Sequence, residues 1–245
     1  MPVQIPGPPR HIHLHPTPLT QSTFSPFGTA ITNPAPSLIP SSALVPSNLP
    51  RNAVQANQGS ALKYLDVTHM LDLYSQAPSK VSSKAVMNMF VCAPRALITG
   101  ERQGEGVFPV GILERHPYTT QTFIPLGVSA QEAHDVRYLV IVAPSLPPSV
   151  GDENLSVPDG EGLPGRGLPD LSKLKAFMAH GGQAVTYGAG TWHAPMVVIG
   201  KKAIDFVVVQ FANGVGVEDC QEAGVEGRGK IGVVVPVGLK RALKL

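Results

Sequence analysis

From Val86 onward the chain is punctuated at short range. Apolar or alternating runs, Val86–Val91, Phe108–Pro117, Thr122–Gly127, Val136–Pro144, Ala184–Gly190, Trp192–Gly200 and Ile204–Ala212, are each bounded by Gly, Pro or Asn. Short runs broken by turn residues at this spacing predict strands of a sandwich or barrel. Two stretches read differently. Leu19–Phe24 predicts a short helix capped by Thr20 and ended by Pro26-Phe27-Gly28. Leu171, Leu174, Phe177 and Met178 form an apolar stripe after Asp170 and before Gly181, which predicts a second, longer helix packed on the sheet. The expected fold class is all-β, with a few peripheral helices.

The first 50 residues hold twelve prolines and one charge, Arg10. Such a segment forms neither a regular helix nor a central strand. Within residues 1–18, His11-Ile12-His13-Leu14-His15 alternates and predicts one edge strand with a polar histidine face rather than a metal site. Residues 34–56 and 144–169, rich in Pro, Ser, Gly and acids, read as flexible insertions. The main domain then spans 19–225, and 226–245 is an unassigned tail carrying Lys240, Arg241 and Lys244.

Composition narrows the function. Hydrophobic residues make up 43% and charged ones 15%, with 25 Gly and 25 Pro, which suits a turn-rich β fold with a sizeable core. A formal charge of +2 with scattered basic residues argues against nucleic acid. No apolar run is long enough for a membrane span, and the N-terminus lacks an apolar signal core. Cys92 and Cys220 have no CxxC spacing, which favours a reduced, cytoplasmic protein.

The candidate chemistry lies in two places. Gly111, His116 and Gly127 follow the outline of the first cupin metal motif, with Tyr118 where its second His stands and Gln121 where its Glu stands. Gly190 and His193 keep the G-x2-H of the second motif. Two imidazoles and a neutral amide offer a divalent ion no charge, so a tight closed metal site is not expected. Beyond that outline, Glu114-Arg115-His116-Pro117 followed by Gln121-Thr122-Phe123-Ile124-Pro125 resembles the ERHP-x3-Q-x-FIP signature of the ureidoglycolate lyase family. Leu19-Thr20, Phe24-x2-Phe27-Gly28, Asn57-Gln58-Gly59, Lys63-Tyr64, Pro169-Asp170-Leu171 and Trp192-His193-x-Pro195 follow in the order that family has them. The resemblance runs from about Leu19 to Cys220.

The resemblance implies a cupin-like double-stranded β-helix, or jelly-roll barrel. It also implies a lyase that cleaves (S)-ureidoglycolate to glyoxylate and urea in allantoin and purine degradation. That reaction needs a base for the substrate hydroxyl, an acid for the departing nitrogen and a partner for the carboxylate. His116 and His193, expected on facing strands at the barrel mouth, and Gln121 are the catalytic candidates. Arg115, Glu114, Lys63, Tyr187 and Trp192 are the substrate-binding ones, although Tyr187 and Trp192 equally suit wall packing. In a regular strand Glu114 shares a face with His116, and Arg115 points the other way. Where bacterial members carry Leu65, Val91 and Gly188 as His, Arg and His, this chain has lost polar groups. The carboxylate would then fall to Lys63, Lys84, Arg95 or Arg115. No cofactor is required, while His116, Gln121 and His193 would allow a weakly bound nickel, manganese or zinc ion. A small-molecule substrate and a homodimer are expected, without nucleic acid or membrane. Two other readings stay open: a carboxylate-binding module without turnover, and a metal-dependent amidohydrolase that releases ammonia.

Overall fold

The strand Arg137–Ala143 shows how the layers form, because it is apolar on both faces. Leu139, Ile141 and Ala143 enter one core, whereas Tyr138, Val140 and Val142 enter another. A strand with two apolar faces belongs in the middle of a stack. The computed structural model describes residues 2–40, 49, 52–129, 131–227 and 229–237. Residues 41–48, 50 and 51 of the expected 34–56 insertion, and the basic tail residues Lys240, Arg241 and Lys244, lie outside the described residues.

The central layer is an eight-stranded sheet in the order Val3–Ile5, Gln221–Val225, Ile112–Arg115, Trp192–His193, Arg137–Ala143, Lys175–His180 and Thr17–Pro18, with Val197–Ile199 also paired to Arg137–Ala143. On one side lies a four-stranded sheet of Ile12–Leu14, Ile231–Pro236, Glu105–Pro109 and Ile98–Thr99. On the other lies a five-stranded sheet of Gly28–Thr32, Gln183–Tyr187, Gln121–Leu126, Ile204–Ala212 and Lys84–Cys92. A separate hairpin pairs Ala53–Ala56 with Ala61–Tyr64. Phe108, Val110, Ile231, Val233 and Val235 meet the central sheet from the first side; Phe123, Val185, Phe206 and Val208 meet it from the second. Among the described residues only two α-helices occur, Gln21–Phe24 and Gly216–Asp219, each four residues long. The fold is all-β and cupin-like, as expected. Among the described residues no helix is long and apolar enough to cross a membrane.

The helix expected after Asp170 is a correction. Asp170 does cap, its carboxylate accepting from the Ser172 amide at 3.0 Å, but the turn it caps is a 3₁₀ turn, Leu171–Lys173. Leu174 then turns extended, and Lys175–His180 is a strand between Arg137–Ala143 and Thr17–Pro18. The stripe misled because this strand is buried on both faces. Ala176 enters the first core and Phe177 and Ala179 the second, so alternation is hidden.

Residues 2–18 form three short strands rather than one. The histidine run forms the edge strand Ile12–Leu14, with His11, His13 and His15 exposed. Thr20 caps the first helix through the Thr23 amide, 3.3 Å away. The tail contributes Ile231–Pro236 to a sheet. The 144–169 segment, expected to be flexible, is tethered at its far end: the Arg166 guanidinium meets the fully buried Asp152 at 2.8 Å, and the Arg115 side chain caps three of its carbonyls.

Candidate active site

Pairing register builds the site. Across the central sheet Glu222, Glu114, His193 and Val142 stand directly opposite one another on consecutive strands. Cross-strand neighbours share a face, so Glu114 and His193 both turn toward the five-stranded sheet, as Val142 does. Arg115 and Trp192, one residue along, point to the other side. The histidines therefore sit on neighbouring strands of one sheet, not on facing strands as expected; Gln121 is the residue that comes from the facing sheet.

His116 stands just past the strand Ile112–Arg115, held at two points. Its carbonyl accepts from the Gly190 amide at 2.8 Å, and its ring Nδ1 lies 2.6 Å from the Asp219 carbonyl. Gly190 takes φ +75, a conformation that favours glycine, and this lets the 188–191 turn reach His116. The His193 ring is stacked on Tyr187 at 3.9 Å and 10° between planes, with Nδ1 2.9 Å from the Thr191 carbonyl. A carbonyl only accepts, so in both rings Nδ1 carries the hydrogen. Both neutral rings then hold a bare Nε2, and neither Nε2 has a hydrogen-bond partner. The ring centroids are 5.7 Å apart.

Glu114 completes the cluster. Ligand atoms of Glu114, His116 and His193 all lie within 4.8 Å of one another. Burial, reinforced by the Glu222 charge, pushes the Glu114 carboxyl up to about 7. Burial lowers His116, and burial with the neighbouring His116 lowers His193 to about 3. The 3.6 Å contact between His193 Nε2 and Glu114 is therefore no fixed ion pair at neutral pH; it joins a neutral imidazole to a carboxyl near its midpoint.

Gln121 is buried opposite Tyr187, and its amide nitrogen donates to Gln210 Oε1 at 2.7 Å, leaving its own Oε1 without a partner. Arg115 lies elsewhere. Its guanidinium is stacked on Trp192 at 4.4 Å. It donates to Gln221 Oε1 and to the carbonyls of Gly165, Arg166 and Gly167 at 2.9–3.2 Å. Trp192 is fully buried, and its Nε1 donates to the Gly167 carbonyl. Lys63 stands exposed on the separate hairpin, opposite Val54. Arg95 lies over the Phe108 ring on the far side of the central sheet, Lys84 begins the edge strand, and Tyr118 packs against Tyr74. Val91 is on the outer face of its strand, paired with the exposed Asp205. Of the sequence candidates, the fold brings Glu114, His116, His193 and Tyr187 into one cluster, with Gln121 beside Tyr187. It turns Arg115 and Trp192 away, and it sets Lys63 on another element.

The sequence reading missed Gln210, Asp219 and Glu222. Gln210 had a signal: Ile204, Phe206 and Val208 alternate as core positions, and the next position on that face is polar. Asp219 and Glu222 had none, because they act through register and a distant carbonyl.

The donor set suits a divalent ion better than the expected His116, Gln121 and His193. Glu114 supplies the charge that Gln121 lacks. Each bare Nε2 is backed by an Nδ1–H on a backbone carbonyl, the arrangement that orients a ligating imidazole.

The model of the family described as Ureidoglycolate lyase matches residues 11–231. The chain is 35% identical over 208 residues to a ureidoglycolate lyase of Schizosaccharomyces pombe, covering 85% of this chain and 89% of that one. It is 37% identical over 198 residues to one from Saccharomyces cerevisiae, covering 78% and 82%. A ureidoglycolate lyase of Burkholderia mallei is 29% identical over 192 residues, covering 78% of each chain.

Proposed function

Because the chain belongs to the ureidoglycolate lyase family, we propose that it cleaves (S)-ureidoglycolate to glyoxylate and urea, a step of allantoin and purine degradation. The observation that carries this reading is the pair of buried, unpartnered Nε2 atoms beside the Glu114 carboxyl.

The substrate carbon bears a hydroxyl, a carboxylate and a ureido nitrogen. One neutral imidazole takes the hydroxyl proton through its Nε2; the O–H electrons become the new C=O bond while the C–N bond breaks. The departing nitrogen takes a proton, which in this reading comes from the Glu114 carboxyl; its raised pKa of about 7 keeps it part protonated near neutrality. Unpartnered Oε1 of Gln121 accepts from a ureido N–H. Tyr187 keeps the His193 ring flat and excludes water from its face.

The substrate carboxylate needs positive charge, and among the described residues no Lys or Arg is one of the groups that shift Glu114, His116 or His193. In an alternative, metal-bound form Glu114, His116 and His193 would instead be the ligands of a divalent ion such as nickel, manganese or zinc, and would no longer be free to move protons themselves. Such an ion would supply that charge and lower the pKa of the substrate hydroxyl. The ion would be weakly bound, since the protein offers it one carboxylate.

A homodimer is part of the proposal. Lys84–Cys92 is an edge strand with Met87 75% and Val91 70% exposed, continuous with exposed Ile124 and Leu126 on the same face. An edge strand with no outer partner among the described residues, beside an exposed apolar face, favours a second copy. Free thiols at Cys92 and Cys220 suit the cytoplasm.

Purified protein incubated with ureidoglycolate should release urea and glyoxylate in equal amounts. Ammonia in place of urea would make it an amidohydrolase, and binding without product a carboxylate-binding module. Exhaustive chelation followed by nickel, manganese or zinc then reads the metal: lost and restored turnover requires the ion, and unchanged turnover leaves the side chains to act alone.

A further inference from the structure

His193 and His116 orient their rings by different means. The carbonyl on His193 Nδ1 belongs to Thr191, two residues away. The carbonyl on His116 Nδ1 belongs to Asp219, 103 residues away and at the end of the four-residue helix Gly216–Asp219. Something must hold that remote carbonyl in place. The Asp219 side chain does so: Oδ1 accepts from the Tyr74 hydroxyl at 2.7 Å and from the Asn213 amide at 2.9 Å, and Oδ2 accepts from the Gly214 amide at 2.9 Å.

Tyr74 is itself fixed from the His116 side. It is 2% exposed and packs on Tyr118 at 5.6 Å, while the Leu73 amide donates to the Tyr118 carbonyl at 2.8 Å. Next to Asp219, the buried Glu218 carboxylate ties the same helix to the chain after Tyr74, accepting from the Ser79 amide and hydroxyl at 2.8 and 2.6 Å. Burial and the Asp219 carboxylate hold the Tyr74 hydroxyl well above the ordinary tyrosine range, so it stays a donor.

We infer that Asp219 is a positioning residue for His116, with Tyr74 as its brace: the braced carboxylate fixes the turn, the turn fixes the carbonyl, and the carbonyl sets the tautomer and heading of the ring. This rests on the reading that His116 moves a proton in the lyase reaction. A loop stabiliser would leave the ring's tautomer alone; a positioning residue controls it.

Three variants, Asp219→Ala, Asp219→Asn and Tyr74→Phe, test it in the full chain. The readouts are kcat and KM, the thermal midpoint, and the ¹⁵N NMR signals of the His116 ring. In the wild type those signals should show one protonated and one bare nitrogen. Asp219→Ala should lower kcat by about ten- to a hundredfold with KM within about twofold, the scale of a misplaced reacting group. Its ring signals should move toward averaged tautomers. Asp219→Asn, which keeps an acceptor for Tyr74, should recover part of both effects, and Tyr74→Phe should show the smallest change in the same direction. Wild-type kcat, or wild-type ring signals, in a folded Asp219→Ala protein overturns the inference. Should Asp219→Ala not fold, Tyr74→Phe decides by the same two readouts. Should the wild type not cleave ureidoglycolate, the lyase reading fails and the ring signals still decide the role of Asp219.

Discussion

The two faces of the central sheet treat polar side chains in opposite ways. On one face Arg115 spends its donors on Gln221 and on the carbonyls of Gly165, Arg166 and Gly167, and lies flat on Trp192. On the other, one residue along the same strands, His116 and His193 keep a nitrogen each without a partner. Buried polar groups are normally satisfied, and leaving one unmade costs about 1–3 kcal/mol. The first face spends its polar groups on the fold; the second leaves two acceptors unpaired, as the proposed reaction requires. Glu-Arg-His-Pro is one motif in the sequence but two devices in the molecule.

Loss of stability without loss of chemistry is the largest effect expected. Arg115→Met strands three loop carbonyls and should destabilise by about 3 kcal/mol or more in chemical denaturation. KM per folded molecule should stay within a few fold. A large rise in KM at unchanged stability would erase the contrast between the faces and return Arg115 to the substrate.

The converse follows on the other face. His116→Ala and His193→Ala should each lower kcat by about a hundredfold or more. Their stability should fall less than that of Arg115→Met, since each change strands one carbonyl, of Asp219 or Thr191, while removing one unpaired buried nitrogen. Wild-type turnover in both variants would remove the histidines from the mechanism.

Glu114 sharpens the comparison through pH. Its folded value near 7 lies above the ordinary 4.5, so the folded protein keeps a proton that the unfolded chain releases. Stability therefore falls as pH rises from about 4.5 to about 7, and the penalty is complete above that. His193, with a folded value near 3, works oppositely and weakens the fold as pH falls through its ordinary 6.5; that effect is shared by both proteins in the test. The wild type should lose stability relative to Glu114→Gln between pH 5 and 8, by on the order of 1–3 kcal/mol. A constant difference across that window would mean that Glu114 is not desolvated in the folded state.

Gln121→Ala should have the smallest effect, raising KM by about five- to tenfold and sparing kcat, because in the proposed reaction the amide binds and moves no proton. A fall in kcat as large as that of the histidine variants would place Gln121 in the chemistry.

Much of this was legible in the chain. The punctuated alternation from Val86 onward fixes an all-β fold, Thr20 announces its helix, and strand periodicity alone separates Glu114 from Arg115. The spacing around His116 and His193 marks the candidate site and the family. Each of these is a local signal carried by neighbours in sequence. The strand Lys175–His180 was misread as helix because its burial depends on sheets contributed from both sides. Whether Glu114 or Gln121 joins the histidines depends on which strands become neighbours, and the pairing Glu114 with His193 is a matter of register. Which ring nitrogen is left bare depends on a carbonyl 103 residues away. Local pattern decides which face a side chain takes; only the assembled sheets decide whether its polar atoms find partners, because those partners come from distant parts of the chain.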